Sequence, residues 1–247
     1  MKAVENGGTI IGIRCKDGVV LAVEKIVTSK LLKPGANKKI TTLIATLALD
    51  EASAWRDIYK APIPTSALAN RLGSYVQAFT LYSSVRPFGV TSIIGGWDSE
   101  AERAVDGEVG SGPKSGAGGK SEDAKTGGPS LYMIEPSGLY WGYYGAATGK
   151  GRQAAKAELE KLDLSPEGLS LTDGVKEAAR IIYVAHEDSK DKEFELEMSW
   201  ISSVDGPTRG RHEEVPRHLV EEAETAAKRE LEGEEEEEPK GEERMEE

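Results

Sequence analysis

The sequence predicts an α+β layered sandwich, and two observations carry that reading. Short runs rich in β-branched residues alternate with segments whose apolar residues recur every three or four positions, and the elements follow the order strands, helix, strands, two helices, strand, helix. At 247 residues the chain can bury one substantial core, so a single layered domain with tails is the expected organisation.

Thr9 to Arg14 and Val19 to Val23 are Ile- and Val-rich runs separated by Cys15-Lys16-Asp17-Gly18, whose Asp-Gly step signals a tight turn, so the two form a hairpin. Lys33-Pro34-Gly35-Ala36-Asn37 is a loop by composition, and a short strand is expected around Lys39 to Leu43. Pro62, Pro64, Thr65 and Ser66 mark a helix entry, where a Ser or Thr hydroxyl caps free backbone N–H groups. Leu68, Leu72, Val76 and Phe79, with Tyr75 beside them, then make an apolar stripe that should cover a sheet.

Val90 to Gly96 and Leu131 to Ile134 are expected as buried strands, and Tyr140 to Tyr144 as an aromatic strand after the Glu135-Pro136-Ser137-Gly138 turn. Between them, Val105 to Ser130 is dominated by Gly, Ser, Lys and Asp and is expected as an exposed, mobile insertion. Arg152 to Leu162 and Val175 to His186 are two helices, with Ala155, Leu159 and Leu162 on one face of the first and Val175, Ala178, Ile182 and Ala185 on one face of the second. Phe194 to Ile201 alternates apolar with polar, the pattern of a half-buried edge or outer strand, and Val215 to Leu231 is a last, charged helix.

Composition narrows the function classes. Hydrophobic residues at 38% and charged residues at 30% fit a folded soluble protein. No stretch approaches the roughly 20 apolar residues that span a bilayer, and Met1-Lys2-Ala3-Val4-Glu5-Asn6 has no apolar signal core, so no membrane partner is expected. Cys15 is the only cysteine, which points to a reducing compartment, the cytoplasm and nucleus. Of the net charge of −12, the Glu-rich run from Glu232 to Glu247 holds −8, which leaves −4 for everything before it. That run, 232–247, is expected as a disordered acidic tail. No basic stripe interleaves with aromatics, which argues against nucleic acid.

His186, His212 and His218 have no ligand spacing, so they are expected on a helix surface or in loops rather than at a metal site, and no cofactor is implied. Gly110 to Gly116 lacks the pattern of a phosphate-binding loop. Trp55, Trp97, Trp141 and Trp200 are expected as packing residues.

The hairpin Gly7-Gly8-Thr9-Ile10-Ile11-Gly12 with Lys16-Asp17-Gly18-Val19-Val20-Leu21 resembles the first strands of proteasome subunits. Four further segments carry the likeness: Leu81-Tyr82-Ser83-Ser84-Val85-Arg86-Pro87-Phe88-Gly89, Tyr132-Met133-Ile134-Glu135-Pro136-Ser137-Gly138, Gly145-Ala146-Ala147-Thr148-Gly149-Lys150, and Lys192-Glu193-Phe194-Glu195-Leu196-Glu197. Their order resembles the alpha-type branch of the 20S core over 1–231, with the start and the Glu-rich end closest to the seventh, or G-type, class. The resemblance implies a four-layer αββα sandwich of the N-terminal-nucleophile hydrolase type. It also implies a non-catalytic role in protein degradation, ubiquitin-dependent and ubiquitin-independent. Implied partners are other alpha subunits in a seven-membered ring, beta-type ring subunits, and the C-termini of a regulatory particle or activator.

Active relatives use an N-terminal threonine whose hydroxyl attacks a peptide carbonyl while its freed amine serves as base. Counted back from Gly12, the nucleophile position holds Gly8, and Thr9 falls one residue late; Glu24 and Lys39 stand near the two helper positions, vestigial in this reading. The alternative is a self-processed hydrolase cut between Gly8 and Thr9. A third reading is an acidic adaptor that acts through its tail. For Lys39 the resemblance implies a second role, receiving an activator's C-terminal carboxylate in a pocket between ring neighbours, with Lys38 adjacent. Two departures from the family pattern accompany the likeness. The gate segment and helix that precede the residues matching Met1 are missing, and after Thr42 the chain reaches Asp50-Glu51-Ala52 where two strands are expected, which leaves the sheet incomplete and points to a truncated or mis-spliced product.

Overall fold

The computed structural model describes residues 4, 6–26, 43–99, 127–187 and 194–237, with backbone alone at 26, 43–45 and 232–237. In chain order the elements are β1 (Ile10–Arg14), β2 (Gly18–Ile26), α1 (Leu43–Tyr59), α2 (Thr65–Leu81), β3 (Ser92–Asp98), β4 (Gly128–Ile134), β5 (Tyr140–Gly142), β6 (Gly145–Thr148), α3 (Arg152–Leu159), α4 (Leu171–Glu187), β7 (Phe194–Ser202), β8 (Glu213–Glu214) and α5 (Arg217–Glu237).

β1 and β2 form the expected hairpin, Ile10 opposite Val23 and Arg14 opposite Val19, and the Cys15 N–H donates to the Gly18 carbonyl across the turn. That hairpin is the middle of a five-stranded antiparallel sheet, β6-β1-β2-β7-β8. Because strand side chains alternate between faces, Ile11, Ile13, Val20, Ala22, Leu196, Met198 and Trp200 all point to one side. They pack there against Ala155 and Leu159 of α3, Val175, Ala178, Ile182 and Ala185 of α4, and Ala223 of α5.

β3, β4 and β5 make a separate three-stranded sheet among the described residues. Ile134 on its outer face packs with Ala69, Leu72 and Val76 of α2, and Leu47 and Ala48 of α1 join them. On the opposite face Leu131 and Met133 meet Val19 and Ala146 of the larger sheet, with Leu21, Ile93, Tyr143 and Ile201 around them. Sheet therefore packs on sheet, with helices against each outer face.

Several expectations are corrected. Leu43, expected to end a strand, instead opens the 17-residue helix α1, and Lys39 to Thr42 lie outside the described residues. The run from Leu43 to Leu49 is apolar enough to mimic a strand, yet Ala52, Trp55 and Ile58 continue it at helical spacing. At the start of α2 the N-cap is Pro64 with no side-chain cap; Thr65 instead donates its N–H (2.8 Å) and its hydroxyl (2.6 Å) to the carboxylate of Asp98 on β3. A carboxylate brought from a distant strand replaces the local hydroxyl.

β3 begins at Ser92, is half-buried along most of its length, and leaves Val90 exposed, because only β4 pairs with it among the described residues. The Gly-rich stretch expected over 105–130 is shorter at its end, since Gly128 to Ser130 pair with Asp98 to Gly96 as the first part of β4; residues 105–126 lie outside the described residues. β7 is an inner strand, flanked by β2 along its length and by β8 at Ser199 and Trp200. Trp141, expected to pack, is 62% exposed on β5. Tyr143 and Tyr144 leave the strand to lead into β6. α5 runs to Glu237, past the tail boundary at 232, while 238–247 lie outside the described residues.

Candidate functional site

Glu24 occupies the next helix-facing position of β2 after Val20 and Ala22, so strand alternation alone puts a carboxylate where an apolar side chain would sit. It is 2% exposed. A charge held there must be hydrogen-bonded on both oxygens. Oε2 accepts the Thr9 backbone N–H at 2.9 Å, and Oε1 lies 2.6 Å from Nδ1 of His186 on α4. The Glu24 N–H in turn donates to the Thr9 carbonyl at 2.8 Å.

Burial pushes the Glu24 carboxyl up, but the Thr9 N–H, the His186 ring and the Thr9 hydroxyl together hold it below its ordinary 4.5. An ionised carboxylate only accepts, so Nδ1 of His186 is the donor. The imidazole also packs on Phe194, ring centres 4.3 Å apart.

The residues before β1 are clamped from the other side by the turn after β6. Lys150 N–H donates to the Gly7 carbonyl at 3.0 Å, and Gly151 N–H donates to the Thr9 hydroxyl at 3.1 Å. Gly149, at φ +104°, lets its backbone approach Gly8 so closely that a Cβ there would stand 2.4 Å from the Gly8 carbonyl oxygen. Gly8, at the position compared with the nucleophile, is buried and has no side chain. The Thr9 nitrogen is a peptide N–H engaged by Glu24, so no free amine stands beside the hydroxyl to act as base.

Of the residues singled out from sequence, Gly8, Thr9 and Glu24 come together. Lys39 and Lys38 lie outside the described residues. His186, expected on a helix surface, is a partner of the buried carboxylate instead; His212 and His218 are exposed. The signal for His186 was present, since it follows Ile182 by four positions and so continues the buried stripe of α4. On the opposite face of β2, Lys25 pairs with Glu195 of β7 at 3.1 Å. Among the described residues no three His, Cys, Asp or Glu side chains gather to hold a metal ion, and no helix is long and apolar enough to cross a membrane.

Comparison with known proteins decides the family. The family model described as "Proteasome subunit" matches residues 4–105 and 122–201. The chain belongs to the proteasome-subunit family. Among its relatives, a "Probable proteasome subunit alpha type-7" of Schizosaccharomyces pombe is 48% identical over 95% of this chain and 87% of the relative. A protein of the same description from Saccharomyces cerevisiae is 50% identical over 94% of this chain and 77% of its own length. The "Proteasome subunit alpha type-3" of Arabidopsis thaliana is 42% identical over 94% of this chain and 87% of its own length. This proteasome subunit is thus of the alpha type, the non-catalytic class, and the clamp around Gly8 and Thr9 is consistent with that. The interruption of the family match falls within the Gly-rich stretch.

Proposed function

We propose that this alpha-type subunit is a structural member of the seven-membered alpha ring of the 20S proteasome core. In that role it contacts alpha neighbours and the beta-type ring, and it supports assembly, substrate entry and regulator docking in ubiquitin-dependent and ubiquitin-independent degradation. The observation that supports this reading is that Thr9, next to Gly8 at the position the family resemblance compares with the nucleophile, is tied through its N–H to Glu24 and through its hydroxyl to Gly151. A site built this way holds backbone in place and presents no attacking group.

The packing of sheet on sheet with helices outside supports a four-layer αββα sandwich of the N-terminal-nucleophile hydrolase type for a domain covering 1–231. Cytoplasm and nucleus are the compartments proposed, in keeping with a single buried cysteine. Self-cleavage between Gly8 and Thr9 has no observation in its favour.

The test is co-expression of the tagged chain with the other core subunits, followed by purification, electron microscopy and intact mass measurement. The expected result is the uncut chain within a particle of stacked seven-membered rings. Recovery only as free protein, or a product beginning at Thr9, overturns the reading.

A further inference from the structure

A strand at the end of an antiparallel sheet leaves every second residue's N–H and C=O without a ladder partner, and the register fixes which. On β4, Tyr143 N–H donates to the Leu131 carbonyl at 2.8 Å and Glu135 N–H to the Leu139 carbonyl at 2.9 Å, so Leu131, Met133 and Glu135 turn their backbone groups toward β5. Ser130, Tyr132 and Ile134 therefore turn theirs toward β3, where they meet Gly96, Ile94 and Ser92. Ile93, Gly95 and Trp97 direct their N–H and C=O groups away from β4, and no strand pairs with β3 on that side among the described residues.

The two sheets fix what lies beside that edge. A Cβ at Gly12 of β1 would stand 2.9 Å from Leu131 of β4, and a Cβ at Gly95 of β3 would stand 2.7 Å from Val19 of β2. β4 thus lies over β1 and β3 over β2, and the next strand position, one spacing of about 4.8 Å farther on, lies over β7. The face of β7 turned to it carries Glu195, Glu197, Ser199 and Ile201, opposite Lys25, Val23, Leu21 and Val19.

That floor is polar, and part of it is unsatisfied. Glu195 holds Lys25 at 3.1 Å, but Glu197 Oε2 and Ser199 Oγ are buried with no hydrogen-bond partner among the described residues. Buried polar atoms are rarely left so. Two carboxylates against one lysine also leave the floor negative. On the outer face of β3 the surroundings are apolar, since Leu47 and Ala48 of α1 and Phe88 gather with Ile94. A strand laid along β3 has alternate side chains facing these two environments, so its chemistry alternates between hydrogen-bond-donating cations and apolar groups. β3 of a second copy cannot be that strand: antiparallel pairing of the two would put both larger sheets on the same side, where β7 and β8 of each extend past β3 and collide.

We propose that the outer edge of β3 takes up an extended segment of another polypeptide, which pairs with Ile93, Gly95 and Trp97 and sets a lysine or arginine against Glu197 and apolar side chains beside Ile94. The inference is independent of ring membership and is tested on the purified chain alone, so its failure leaves the ring-incorporation experiment standing.

The probe is a capped seven-residue peptide alternating valine with lysine, the length of β3. Fluorescence anisotropy of the labelled peptide reads binding to the full chain, and amide hydrogen exchange locates it. In the chain alone the amides of Ile93, Gly95 and Trp97 are expected to exchange faster than those of Ile94 and Gly96, and saturating peptide to slow the first three at least about tenfold. The same peptide with alternate backbone nitrogens methylated keeps its side chains but cannot donate to the edge; it should bind at least about tenfold more weakly, as should a peptide with glutamate in place of lysine. Glu197→Gln should narrow the preference for lysine over glutamate. Ile93→Pro removes an N–H that the β4 ladder does not use and should weaken binding, with circular dichroism checking the fold of both variants. No binding at about 1 mM peptide, equal binding of the methylated or the glutamate peptide, or an unchanged preference in Glu197→Gln overturns the proposal. So does slow exchange at Ile93, Gly95 and Trp97 in the chain alone, which would mean that this edge is already paired.

Discussion

The carboxylate of Glu24 on β2 and the imidazole of His186 on α4 meet at 2.6 Å, joining the sheet to its covering helix across 162 residues of sequence. The other Glu24 oxygen holds the Thr9 N–H, so one buried acid fixes three segments at once. Glu24→Ala leaves the Thr9 N–H and the His186 ring without this acceptor, at a cost of about 1–3 kcal/mol for each group that stays buried. Denaturant unfolding at neutral pH is expected to show a stability loss of that order.

The same acid predicts a pH dependence with a definite sign. Its folded-state pKa lies below the ordinary 4.5, so its contribution is complete above 4.5 and is lost as pH falls through the lower, folded value. Stability followed from pH 7 downward should therefore begin to fall below about 4.5, and Glu24→Gln should show a shallower fall. Equal slopes for the two proteins would mean the acid response originates elsewhere.

Gly149→Ala tests the clamp from the other side. The substitution meets both a φ of +104° and the Gly8 carbonyl 2.4 Å from the new Cβ, so the turn or the start of β1 must move. Strain of this kind costs about 1–3 kcal/mol. The melting temperature should drop, and amide exchange should quicken at Lys150 and Gly151, whose N–H groups reach from that turn to the Gly7 carbonyl and the Thr9 hydroxyl.

Asp98→Ala removes the acceptor of two Thr65 bonds and should loosen the first turn of α2. About 1–3 kcal/mol is expected, with Asp98→Asn closer to wild type because it keeps an acceptor oxygen. Hydrogen exchange at Thr65 reads the effect directly.

The hairpin, the helical stripe over 68–79 and the stripe of α4 were legible because each is set by local periodicity. What was not legible depends on residues brought from afar. Asp98 replaces a local cap at α2, and nothing near Thr65 announces it. α1 was hidden because its first residues, Leu43 to Leu49, are apolar except for Thr46, and so short an apolar run cannot be divided between strand and helix by periodicity. At the site, Gly8, Thr9 and Glu24 were legible only through the resemblance to proteasome subunits, which sets their places along the hairpin; periodicity alone marks none of them. The role of His186 could not, since it required knowing that α4 lies over the end of β2.

Cys15 supplies a probe of unfolding that needs no label. Its thiol is 2% exposed, and burial, reinforced by Asp17 and Asp173, pushes its pKa up to about 12 from 9.0. Only the thiolate is nucleophilic, so at pH 8 the folded protein holds almost none of the reactive form, and what exists is covered. A thiol-specific disulfide reagent should leave the native chain untouched and modify one site per molecule once denaturant opens it. The rate in dilute denaturant should then track the fraction unfolded measured by circular dichroism. Fast modification of the native protein would mean that the packing of Cys15 against α4 opens locally, ahead of the rest of the core.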